Sequence, residues 1–132
     1  MSSAVNHIEY SLHPDVSAMT IGRDSALPFP VLQMHQVHDV HVAVIDNPDI
    51  TSEQLDGYDA MITNLRGLAI GVRTADCIPI LLYDPVNKAA AAVHSGWRGT
   101  VAKILRNVIG KMSSTYGSQP SDLLAVMGPG IC

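Results

Sequence analysis

The feature that most limits the possible folds is a pair of short apolar runs, Ile78 to Tyr83 and Lys88 to Val93, on either side of Asp84-Pro85-Val86-Asn87. Each run has the length of a strand rather than of a helix. Pro and Asn suit a tight reversal, so the segment reads as a β-hairpin. With Asp84 set opposite Asn87, paired residue numbers share one sum and the far end of the ladder is Cys77 opposite His94. Directly opposed residues of an antiparallel pair hold their Cβ atoms about 4.5–5.5 Å apart, near enough for a thiolate and an imidazole to share a metal ion or exchange a proton. A slip of one residue would send the two side chains to opposite faces. A lone cysteine or histidine is more often a core residue, and the pairing raises these two above that.

His94 is followed by Ser95-Gly96-Trp97-Arg98-Gly99-Thr100 and then by apolar residues at Val101, Ile104, Leu105, Val108, Ile109 and Met112. This spacing predicts a helix over about Thr100 to Tyr116 with one buried stripe, ending near Gly117, with Lys103, Arg106, Asn107 and Lys111 on its wet side. Thr100 is the expected N-cap. Free N–H groups, the positive end of the helix dipole and the Arg98 guanidinium together make an anion site. The competing reading is a plain strand-to-helix turn with a solvated arginine, since the phosphate-loop lysine signature is absent.

A chain of 132 residues fits one domain, residues 1–132, with enough material for a real core. Only eight Lys and Arg, a net charge of −4 and a pI of about 5.8 argue against nucleic acid as a partner. No apolar run reaches the ~18 residues of a membrane span. Met1 to Tyr10 lacks the basic and apolar regions of a secretory signal, so a cytoplasmic location is expected. In such a compartment Cys77 and Cys132 are expected to stay unbridged.

Elsewhere, short strands are expected at Ile8–Leu12, Ser17–Ile21, Val31–His38 and His41–Asp46, with a break at Asp39. His35, His38 and His41 lie three apart, but β-branched alternation favours extended structure, in which His38 faces away from the other two and is the best placed for a site. Residues 47–59 read as a solvated acidic loop with a short capped turn at Thr51-Ser52-Glu53-Gln54. Ala60–Thr63 and Leu68–Thr74 read as strands around Asn64-Leu65-Arg66-Gly67, the second carrying Arg73 and Asp76 to the end of the sheet where Cys77 lies. Asp76 could orient an imidazole or act as a base. A turn at Pro120-Ser121-Asp122 and a last strand, Leu123–Met127, lead into Gly128-Pro129-Gly130-Ile131.

Gln36-Val37-His38, Thr74-Ala75-Asp76-Cys77 with Pro79 after it, His94-Ser95-Gly96-Trp97-Arg98-Gly99 and Gly128-Pro129-Gly130-Ile131, in this order, closely resemble the laccase-domain (YfiH-type) family. The resemblance runs from about Leu32 to Ile131. It implies an α/β fold, a sandwich of mixed β-sheets covered by helices, here in a form shortened at both ends. It also implies one zinc ion, with copper as the alternative, held by His38, Cys77 and His94, and action on purine nucleosides. The expected reaction is phosphorolysis of adenosine, inosine or methylthioadenosine, with adenosine deamination beside it. Two imidazoles and a thiolate leave one tetrahedral position open, as in catalytic zinc sites. Phosphate would sit by Arg98, Arg73 and the helix start.

Three other readings compete. Cys77 and His94 could form the nucleophile and base of a cysteine hydrolase. A copper polyphenol oxidase needs more paired imidazoles than six histidines with no His-x-His supply. A metal-binding module without turnover is the non-enzymatic alternative.

Overall fold

The computed structural model describes residues 7–21, 31–33, 41–55, 58–72, 78–95 and 98–127. Its centre is a five-stranded sheet built from β4 (Val42–Ile45), β5 (Ala60–Thr63), β8 (Ala89–Ser95), β7 (Ile78–Asp84) and β9 (Leu124–Met127), in that spatial order. β4 runs parallel to β5, and the remaining pairs are antiparallel, so the sheet is mixed. Two smaller sheets accompany it. β1 (His7–His13) and β2 (Val16–Ile21) form an antiparallel hairpin, and β3 (Leu32–Gln33) pairs in parallel with β6 (Ile70–Gly71).

The central strands are covered on both faces, which explains why β5 and β8 are almost uniformly apolar instead of alternating. One face receives the single α-helix among the described residues, α1 (Arg98–Tyr116). Ile104, Val108 and Met112 point from it into a cluster with Ala60, Ile62, Ile80, Leu82, Ala89, Ala91 and Val93. Small alanines at the middle strand let the helix approach closely. Each fully buried Ile, Val or Met contributes about 1.5–3 kcal/mol of burial. The stripe matches the sequence periodicity, with Leu105 and Ile109 packed at its margin. Because side chains alternate along a strand, Met61, Ala43 and Ile45 face the other way, where they meet Leu32 and Leu55. Leu55 belongs to a 3-10 turn, Ser52–Leu55, closed as the sequence suggests: the Thr51 N–H donates to Gln54 Oε1 at 2.9 Å.

Three expectations need correction. The β7–β8 ladder pairs Asp84 with Ala89 and Pro79 with His94, so Cys77 is not the partner of His94. The turn is four residues, Pro85 to Lys88, not two. Asp84 accepts the Val86 and Asn87 N–H groups at 2.9 and 3.2 Å, and Lys88 then takes a left-handed conformation, φ 55°, that returns the chain to the sheet two residues later than the short turn would. The shift is even, so His94 keeps the face expected of it. Second, α1 begins at Arg98, which puts Thr100 inside the first turn and not at the cap. Third, of the strand expected over Leu68–Thr74 the described residues form only Ile70–Gly71, which pairs with β3 in a separate sheet; ahead of it Thr63 Oγ1 donates to the Ile45 carbonyl and accepts the Leu65 N–H.

Candidate functional site

His94 is the next-to-last residue of β8, two residues past Ala92 on the face opposite the helix, and only 3% of it is exposed. β5 lies beside β8 with Ala60 opposite Val93, so continuing the register brings Asp59 level with His94. The two backbones are joined there: the His94 N–H donates to the Asp59 carbonyl at 2.8 Å. On the other side of β5, the Asp59 and Ala60 N–H groups both donate to the His41 carbonyl, at 3.0 and 3.3 Å. Asp59 is thus fixed from two directions. Its carboxylate, completely buried, places Oδ1 3.5 Å from His94 Nδ1.

That separation is longer than a well-made hydrogen bond, and catalytic imidazole–carboxylate contacts commonly tighten only when the rest of the site is engaged. A carboxylate can only accept, so the ring nitrogen it faces is the one suited to carry the proton, leaving Nε2 with its lone pair. A metal-ligating histidine needs this division of labour, with one nitrogen toward the metal and the other toward a carboxylate or carbonyl. His94 therefore fits the role of a zinc ligand, and a set of two imidazoles and one thiolate has the chemistry of an open zinc site. His38 and Cys77, the other two expected ligands, lie outside the described residues, as do Arg73 and Asp76. Arg98 is the first residue of α1; of it only the backbone is described. No trio of metal-ligating side chains gathers among the described residues.

Asp59 is the site residue that sequence reasoning missed. It falls in the stretch read as a solvated acidic loop, yet none of its surface is exposed. The local signal is a carboxylate immediately before the apolar run Ala60-Met61-Ile62, a position where a charge needs a partner. His41, by contrast, is exposed and serves through its backbone.

Residues 18–132 match the profile of a family described as multi-copper polyphenol oxidoreductase laccase. A Streptomyces coelicolor protein named purine nucleoside phosphorylase is 40% identical over 118 residues, covering 89% of this chain and 47% of its own length. A protein from an unknown prokaryotic organism, named adenosine deaminase, is 44% identical over 103 residues, covering 74% of this chain and 39% of its own. The solved structure of Bacillus licheniformis YfiH superposes with a TM-score of 0.68 at 28% identity, over 76% of this chain and 40% of that one. The chain spans less than half the length of each of these relatives. A profile match over most of the sequence, the mixed sheet shared with a solved relative and a buried histidine at the end of β8 agree with one another: the chain belongs to the laccase-domain, YfiH-type family.

Proposed function

We propose that this chain carries the metal site of a zinc-dependent purine nucleoside phosphorylase, with His38, Cys77 and His94 as ligands. The observation that supports the reading most directly is the buried His94 imidazole with Nδ1 3.5 Å from Asp59 Oδ1, an arrangement that would leave Nε2 available to a metal. The names of the relatives supply the substrate class, a purine nucleoside with phosphate. Bound zinc would supply a Lewis acid with one open coordination position.

The chain's own residues would do the rest. Only Ser95, Gly96 and Trp97 stand between His94 and Arg98, the first residue of α1, so the helix N-terminus follows the ligand strand almost at once. No acidic residue in the first turn of α1 opposes its positive end, and phosphate would be held there together with the Arg98 and Arg73 guanidinium groups. Asp76 would accept a hydrogen bond from the nucleoside or orient a ligand. The burial of His94 excludes water from that side of the imidazole.

A second reading, adenosine deamination, is favoured by the relative that carries that name. The direct opposition of Cys77 and His94, which served the shared-metal and the cysteine-hydrolase readings alike, is not the register of the ladder, and the names of the relatives favour the nucleoside reading over the hydrolase. The test is release of free purine from adenosine or inosine by the zinc-loaded chain, with and without phosphate. Base formed only with phosphate, and lost in His94→Ala, is the expected outcome. Inosine formed from adenosine without phosphate selects the deaminase, and no product from either substrate removes both.

A further inference from the structure

We propose that Asp59 is the positioning residue of this site, holding the His94 ring so that Nε2, and not Nδ1, is presented to the metal; the proposal rests on the zinc reading above. Three independent features point to it. The carboxylate is fully buried, and burying one without a designed partner is costly. Its Oδ1 faces Nδ1 of His94 at 3.5 Å. The two residues are also locked together through the backbone, by the 2.8 Å bond from the His94 N–H to the Asp59 carbonyl. This last bond does not involve the Asp59 side chain, so a substitution there removes the guide of the imidazole without itself removing the backbone link between the strands.

The placement follows from topology. β5 and β8 are separated by more than twenty residues in sequence and meet only in the central sheet, where Asp59 is the last residue before β5 and His94 lies one position beyond Val93. Sequence reasoning points to Asp76 for the orienting role, from its closeness to Cys77. The carboxylate that faces the imidazole among the described residues comes from the neighbouring strand instead. In this arrangement Asp59 never touches substrate; it selects the ring tautomer and narrows the ring's rotation, so that less ordering remains for the metal to impose.

The test uses the full 132-residue chain and two variants at this position, Asp59→Asn and Asp59→Ala, with His94→Ala beside them. Zinc affinity is measured by competition with a chromophoric chelator, and the cobalt-substituted proteins are compared by their visible ligand-field spectra. Both Asp59 variants are expected to bind zinc about 10- to 100-fold more weakly than the parent, with altered cobalt bands. His94→Ala is expected to lose more. Parent-like affinity and spectra in both Asp59 variants would overturn the proposal while leaving the zinc reading intact, whereas unchanged binding in His94→Ala overturns the zinc reading itself. Should the variants not fold, side-chain nitrogen NMR of the metal-free parent decides: a His94 ring protonated at Nδ1 supports the positioning role, and one protonated at Nε2 overturns it.

Discussion

Two carboxylates, Asp59 and Asp84, are completely buried at opposite ends of the same sheet, and they are held in different ways. Asp84 closes the β7–β8 turn. It accepts the Val86 and Asn87 N–H groups, the Asn87 side-chain amide at 2.8 Å and the Ser118 hydroxyl at 2.6 Å. Three of these four donors lie within three residues of it, and the fourth ties the turn to the segment just after α1. Asp59 faces a histidine brought to it by strand pairing. The ends are roughly 17 Å apart along the ladder, far enough for their effects to be independent. A carboxylate surrounded by nearby donors serves the fold, while one aimed at an imidazole across two strands serves a site.

The largest effect expected from this contrast is on stability at the turn. Asp84→Ala strands the Ser118 hydroxyl, the Asn87 amide and two backbone N–H groups, and should cost about 3 kcal/mol. Urea unfolding measures it. Zinc affinity of the fraction that remains folded should match the parent. A variant that kept its stability and lost its zinc would erase the distinction between the two ends.

Next comes pH. Burial alone would raise the Asp84 pKa, but hydrogen bonds from Ser118, from the Asn87 side chain and from the Asn87 and Val86 N–H groups outweigh it and hold the carboxyl below its ordinary value. The folded chain thus binds this proton less readily than the unfolded chain does. The stability contributed is fully present above the unfolded value and disappears as pH falls through the lower folded one, below about pH 4. The parent should lose stability steeply in that window, and Asp84→Asn should show a flatter profile there. Ser118→Ala, which removes one buried donor, is the smaller version of the same experiment, at about 1–2 kcal/mol.

What is readable in the sequence divides along the same line. The β7–β8 hairpin and the apolar stripe of α1 are local patterns, set by residues close together in the chain, and both are present. The exact register is not readable, because it depends on how Asp84 folds its own turn and on Lys88 adopting a positive φ, which no propensity announces. The pairing of β5 with β8 and of β3 with β6 brings together segments far apart in sequence, and short apolar runs do not say which of them will be neighbours. Hence His94 is legible from its motif, whereas Asp59 is hidden: its meaning comes entirely from the strand beside it.

The smallest effect concerns a third buried oxygen, which supplies the control for the two carboxylates. The Tyr116 hydroxyl, at the end of α1, is buried without a hydrogen-bond partner among the described residues. Burial and the nearby Asp46 carboxylate both raise its pKa, so the phenol stays protonated at any ordinary pH and no charge enters the comparison. An oxygen taken out of water with nothing to bond costs stability, and its removal leaves the packed ring in place. Tyr116→Phe should therefore be neutral or stabilising, by no more than about 1 kcal/mol, in the urea assay used for Asp84→Ala. The opposite sign from Asp84→Ala is the point: truncating a buried oxygen harms the fold only where donors depend on it. A clear loss of stability in Tyr116→Phe would mean that its hydroxyl has a partner after all, and burial with local bonding could no longer separate a structural polar group from a functional one in this chain.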